Sequence, residues 1–231
     1  MAQSVTYLNE NKGPDIMTEK TITKTEILNK VYTADDHEQL MDAYKDWAAD
    51  YDSDLENLGY VAHITSAKAL DQALGGNHDA VILDAGSGTG LVGEELAKLG
   101  YRTMDALDYS QEMLDQAETK NVYRNLIQAD MKERLPLGDN AYDAVVCTGT
   151  FTYGHITADG FDELIRVTRP GGMIVFTVRE GAYEEYGYRK KMLDLEVQGT
   201  WELVSFYDTP YQVEEGNTCK MCTYRLPEAA N

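Results

Sequence analysis

The sequence predicts a doubly wound α/β sheet, and three observations carry that prediction. From residue 80 onward, short apolar runs alternate with amphipathic helical stretches. The first run leads directly into a glycine-rich turn, "DAGSGTGLVG" at 84–93. The last two runs, "WELVSFYDT" and "CKMCTYRL", have no helix between them. That predicts an antiparallel hairpin closing an otherwise parallel sheet.

Ahead of the sheet, residues 1–35 are polar, carry a Gly-Pro pair at 13–14, and read as a flexible or loosely docked arm. A helix is expected over about 36–58, where Leu40, Tyr44, Trp47 and Tyr51 recur at spacings of three and four. Burial of that stripe accounts for Tyr44 and is one of two readings for Trp47 and Tyr51. A second helix covers about 61–74 and stops at Gly75-Gly76. Strands are expected at 80–84, 102–108, 123–130, 142–151 and 173–180. The intervening helices run through "GLVGEELAKLG", through "SQEMLDQAETK" with Ser110 as N-cap, and through "GFDELIRVTRPGG" to a stop at Pro170-Gly171. A helical insert occupies roughly 183–198.

A chain of 231 residues suits one α/β domain. Forty acidic residues against twenty basic ones give a net charge of −20. Such a surface repels phosphate backbones, and no basic cluster exceeds Arg189-Lys190-Lys191, so no nucleic-acid partner is expected. No apolar stretch reaches the roughly 18 residues that read as a membrane span. The first twenty residues lack the apolar centre of a secretory signal. Three cysteines argue for a reducing compartment without a disulfide framework, and the cytoplasm is the expected address. "CKMC" at 219–222 has no second pair and no nearby histidine, so no metal site is expected.

The glycine loop can be parsed in two ways. Gly88-x-Gly90-x-x-Gly93 is a dinucleotide fingerprint, whereas Asp84 followed by Gly86-x-Gly88-x-Gly90 points elsewhere. Both need glycines where backbone meets ligand, and both use Asp108, 20 residues after Gly88, to accept from ribose hydroxyls. Asp84 separates them. A carboxylate at the mouth of the loop would repel a pyrophosphate on the helix N-terminus. It suits a ligand with an ammonium and a sulfonium but no phosphate, which is S-adenosylmethionine. Asp130, in "QADM" at the end of the third strand, can accept from an adenine amino group. Gly93 is then expected to be a small residue for helix–sheet packing.

Together "ILDAGSGTG", "DALDYSQEML", "QADM", "YDAVVCTGTF" and "RVTRPGGMIVFTVRE" resemble the ordered motifs of class I S-adenosylmethionine-dependent methyltransferases. "YKDWAADYDSDL" resembles the lead-in of one small-molecule branch, the Williams–Beuren region methyltransferase-like group. The resemblance covers about residues 40–180. It implies a Rossmann-like sheet of about seven strands in the order 3-2-1-4-5-7-6, the last strand antiparallel. The chain is expected to form a single domain at 36–231, made of a helical lid (36–76), a cofactor-binding core (80–180) and an acceptor-side helix with terminal hairpin (181–231). Asp84, Gly86 and Gly88 would border the methionine part of the cofactor, and Ser87, Gly90 and Leu91 would also be cofactor-binding, Ser87 standing where the family often has Cys. Asp108 would bind the ribose, Tyr109 and Met113 would pack near the adenine, and Asp130 and Met131 would read its edge. Cys147 to Thr150, Thr148 and Gly149 among them, would form the floor, and Tyr51 and Trp47 would close over the cofactor.

The acceptor side is less defined. His155 and Tyr153 are the candidate catalytic residues; an exposed or helix-capping histidine is the alternative for His155. Phe151, Tyr153, Tyr183, Tyr186, Tyr188 and Tyr211 could form an aromatic acceptor pocket, and helix packing explains some of them equally well. "CTGTF" stands where base-amine methyltransferases carry "DPPY" or "NPPF", which argues against nucleic-acid bases. The expected function is methyl transfer to a small-molecule acceptor, with S-adenosylhomocysteine as product, by alignment and desolvation. A protein or peptide acceptor and a nicotinamide-dependent oxidoreductase are the alternatives. A monomer or homodimer is expected.

Overall fold

The computed structural model describes residues 37–153 and 156–229. The arm at 1–35, the side chains of His37 and Leu40, and His155 lie outside the described residues.

Two helices lead the described residues, α1 (His37–Trp47) and α2 (Tyr51–Asn57), where one continuous helix was expected. The break is a turn in which the Asp50 N–H donates to the Trp47 carbonyl at 3.0 Å. It folds the stripe back on itself, so that the Trp47 indole N–H reaches Asp54 Oδ2 at 2.9 Å. Next come α3 (Ala62–Leu74), β1 (Ile82–Ala85), α4 (Leu91–Leu99), β2 (Met104–Asp108), α5 (Gln111–Thr119) and β3 (Asn125–Gln128). Then follow β4 (Tyr142–Phe151), α6 (Gly160–Val167) and β5 (Thr168–Arg179). The chain ends with α7 (Glu180–Glu185), α8 (Tyr188–Val197), β6 (Glu202–Gln212) and β7 (Asn217–Arg225).

Two further boundaries move. Helix α6 stops before Pro170, because the residue ahead of a proline avoids helical backbone. Thr168 is already extended there, and it pairs with Tyr142. The expected insert is two helices, broken at Gly187, whose φ of +76° is left-handed.

The seven strands lie in the order β3-β2-β1-β4-β5-β7-β6. Strands β1 to β5 pair in parallel, and β7 runs antiparallel to both β5 and β6. This is the Rossmann-like order expected. Alternate residues of each strand supply two cores. Leu83, Val145, Ile174 and Phe176 face α6 and α8, with Phe161, Tyr188 and Trp201. Ile82, Ala144, Val146 and Val175 face α3 and α4, with Leu70, Val92 and Leu96. Trp47, Leu55 and Leu58 form a third cluster, against which Tyr51, Tyr60 and Leu91 pack. It seats α1 and α2 at the C-terminal ends of β1 and β2, where a doubly wound sheet opens its ligand crevice.

Candidate active site

The crevice is built from three strand ends. After β1, Gly86 and Gly88 turn in left-handed backbone, at φ of +72° and +52°. At Gly88 a Cβ would meet nothing within 4 Å, so the backbone itself faces open space. After β2, Asp108 ties two loops together. Its Oδ2 accepts the Gly88 N–H at 2.8 Å and its Oδ1 accepts the Ser110 N–H at 2.9 Å. Ser110 caps α5 as expected, its Oγ accepting the Met113 N–H at 3.2 Å. After β3, Asp130 Oδ1 accepts the Lys132 N–H at 2.8 Å, and the Gln128 amide reaches the Tyr109 carbonyl at 3.1 Å.

A cavity lies among them. Gly86, Gly88, Asp108, Tyr109, Met113, Asp130, Met131, Thr148, Gly149 and Tyr51, all anticipated, line it. Tyr44, Tyr60, Ser110, Ala129, Thr150 and Ile156 line it as well. Thr150 lay within the anticipated floor segment, whereas Tyr44 was read as core. Tyr60 carried no signal of its own, since it sits between two helices. It arrives there through an isolated bridge to Gln212 of β6.

Several anticipated residues sit behind the cavity instead. Asp84 is buried, its Oδ2 accepting the Tyr123 hydroxyl at 2.6 Å while Oδ1 has no partner. Burial pushes its carboxyl up to about 7, against the opposing pull of the Tyr123 hydrogen bond. Ser87 is buried, with its Oγ unpartnered. Gly90 and Gly93 make room for Tyr123, whose ring a Cβ would meet at 2.9 and 2.3 Å. Gly93 therefore admits a tyrosine, rather than simply letting the helix approach the sheet. Leu91 and Trp47 belong to the cluster under α1 and α2. Trp47 is 3% exposed and backs Tyr51 edge-on, with centroids 4.7 Å apart, instead of facing the cavity itself. Cys147 is core, and burial pushes its thiol up to about 12.

The aromatic acceptor pocket does not assemble as expected. Phe151 is core, packed on Phe161 at 4.4 Å and on Phe176 and Tyr188. Tyr188 is buried, and its hydroxyl donates to the Thr152 carbonyl at 3.1 Å. Tyr183 packs against Phe206, and Tyr186, 46% exposed, packs on the outside against Tyr153, 42% exposed. The bend after β4 turns Tyr153 away from the cavity lining. Only Tyr211 approaches: a Cβ on Gly149 would lie 3.0 Å from its hydroxyl and 3.5 Å from that of Tyr60. Burial raises the phenols of Tyr51 and Tyr60 well above their usual value, so they present O–H donors.

These features fit one ligand class. Buried polar atoms without partners gather around the loop: Asp84 Oδ1, Ser87 Oγ and Thr148 Oγ1. Beside them stand an open glycine backbone and the paired oxygens of Asp108. Residues 83–176 match the methyltransferase domain family. The chain is 36% identical over 170 residues to human (Homo sapiens) methyltransferase-like protein 27, covering 71% of this chain and 69% of that one. The chain belongs to the class I S-adenosylmethionine-dependent methyltransferases.

This methyltransferase is also 34% identical over 152 residues to malonyl-[acyl-carrier protein] O-methyltransferase of Buchnera aphidicola, covering 65% of this chain and 59% of that one. Its sheet superposes on a Haloferax volcanii methyltransferase solved with the Trm112 methyltransferase activator, at TM-score 0.64 and 15% identity. That match covers 83% of this chain and 99% of the other, and at such identity it speaks for the fold alone. S-adenosylmethionine is the methyl donor of this enzyme.

Proposed function

We propose that this methyltransferase modifies a small-molecule acceptor held over Gly149. The observation that carries the reading is the convergence of the Tyr60 and Tyr211 hydroxyls on that glycine, at the cavity floor. With Tyr44 and Tyr51, they make a wall of phenols around a space that suits a small molecule better than a polypeptide.

When bound, S-adenosylmethionine supplies an electrophilic methyl on a sulfonium. The chain positions and dries the site. Gly86 and Gly88 let backbone approach the methionine part, and the Asp84 carboxylate, buried behind the loop, lends negative charge to the side its ammonium takes. Asp108 accepts from the ribose hydroxyls, and Asp130 with Met131 reads the adenine edge. Tyr44 and Tyr51 close the cavity from α1 and α2, which act as a lid. Water exclusion and alignment by these walls serve an in-line displacement. Tyr60 and Tyr211 orient the acceptor through their hydroxyls.

An acceptor tethered to a carrier protein is the second reading, favoured by the likeness to malonyl-[acyl-carrier protein] O-methyltransferase. Among the described residues no helix is long and apolar enough to cross a membrane. Cys147, Cys219 and Cys222 are buried free thiols, which suits a reducing compartment such as the cytoplasm.

Isothermal titration with S-adenosylmethionine and S-adenosylhomocysteine tests the cofactor roles. An acceptor library read by S-adenosylhomocysteine release tests the acceptor. Transfer to free small molecules is expected. Transfer confined to carrier-linked acyl groups or to peptides would overturn the small-molecule reading.

A further inference from the structure

Forty carboxylates surround twenty cationic side chains in this protein. Lys120 holds Asp52 and Glu94, Arg124 holds Asp105, and Arg166 holds Glu163 and Asp139. Arg179, at the C-terminal end of β5, departs from this habit. Its Nη1 is sealed from solvent and has no hydrogen-bond partner among the described residues. Its Cζ lies 4.4 Å over the centroid of the Tyr211 ring. The adjacent Glu180 takes the Thr218 hydroxyl, and nearby Lys220 pairs with Asp208 at 2.5 Å. A buried guanidinium N–H without an acceptor is costly, and in so acidic a chain a carboxylate partner would have been easy to supply.

Tyr211 joins Arg179 to the cavity. Its ring carries the guanidinium, and its hydroxyl end reaches Gly149 on the floor. Tyr60 holds that ring edge-on, with centroids 5.0 Å apart, and the Val61 N–H fixes the Tyr211 carbonyl at 3.1 Å. A guanidinium held over a ring face by cation–π attraction still offers N–H donors, in the fork that matches a carboxylate.

We propose that Arg179 is a specificity-determining residue that binds a carboxylate of the acceptor, beside the reacting group held over Gly149. A planar monoanion suits this single guanidinium better than a phosphate dianion, because the neighbouring cation Lys220 is already paired. The inference rests on the small-molecule reading above.

The test uses the full chain with S-adenosylhomocysteine bound. Carboxylic acids and their matching primary amides, aliphatic and aromatic, are titrated as pairs and followed by saturation-transfer NMR. Acids are expected to bind at least tenfold more tightly than their amides. Arg179→Gln should erase that preference while leaving S-adenosylhomocysteine affinity unchanged, and Arg179→Lys should retain part of it. Equal binding of acids and amides, no binding by any acid, or a preference that survives Arg179→Gln would overturn the proposal. Loss of S-adenosylhomocysteine binding in the unaltered chain would instead strike the cofactor site, so the two failures are distinguishable.

Discussion

The hydroxyl of Tyr123, in the segment before β3, donates to the carboxylate of Asp84 at the end of β1 across 2.6 Å. The ring reaches that carboxylate because Gly90 and Gly93 leave it room, a Cβ at Gly93 falling 2.2 Å from the hydroxyl oxygen. The acidic residue ahead of the glycine loop is thus held from behind, with its other oxygen unpartnered.

This arrangement predicts a pH dependence. Burial sets the Asp84 carboxyl at about 7, and a ligand ammonium beside it favours the charged form. Affinity for S-adenosylmethionine should therefore rise as pH climbs through about 7. Stability of the ligand-free protein should move oppositely. A carboxyl raised in the folded state from 3.8 to about 7 contributes its stability below about pH 4 and loses it as pH rises through about 7. Asp84→Asn should flatten both profiles and weaken binding; calorimetry and thermal melts across that window measure them.

Gly88 of the loop and Gly93 of α4 should separate stability from binding. Gly93→Ala must displace the Tyr123 ring, at a cost of about 1–3 kcal/mol in denaturant unfolding, more than alanine's helix propensity returns. Gly88→Ala meets no neighbour, so backbone strain alone costs it about 1–2 kcal/mol. Its methyl would stand toward the cavity, and affinity for S-adenosylmethionine should drop at least tenfold. Equal affinity in the two variants would mean that Gly88 does not border the ligand.

Asp108 joins the loops after β1 and β2 through Gly88 and Ser110. Asp108→Ala should weaken S-adenosylmethionine binding at least tenfold, about 1.4 kcal/mol or more, by titration calorimetry. Unchanged affinity would displace the ribose site.

Lys120 links the proposed lid to the core, reaching Asp52 of α2 at 2.7 Å and Glu94 of α4 at 2.5 Å. Thr89 also donates to Asp52. Lys120→Met should lose about 1.5–3 kcal/mol of charged hydrogen bonding locally. Faster amide exchange over residues 51–57, with the sheet unchanged, is the expected reading. Uniform exchange across the whole chain would show instead that α2 does not open as a separate unit.

The sheet was legible because its signal is local. Runs such as 142–151 are bounded by turn residues, and their apolar content marks the strand wherever it lies in the sheet. One side of the cavity was legible for a related reason: Gly86, Gly88, Asp108, Asp130 and Met131 stand at or just beyond strand ends, and strand ends converge in this topology. By itself, then, the sequence determined the doubly wound sheet, the ligand class and the residues that strand ends deliver. Only the tertiary structure decided which aromatics face the cavity. Phe151 and Tyr188 fell into the core, whereas Tyr60, Tyr211 and the Arg179 resting on it gathered near Gly149. It decided likewise that Gly93 serves Tyr123, 30 residues away in the chain. Periodicity tells which face of an element is apolar, but not which distant side chain comes to lie against it. That depends on strand order and register, which pack residues 60, 149, 179 and 211 side by side.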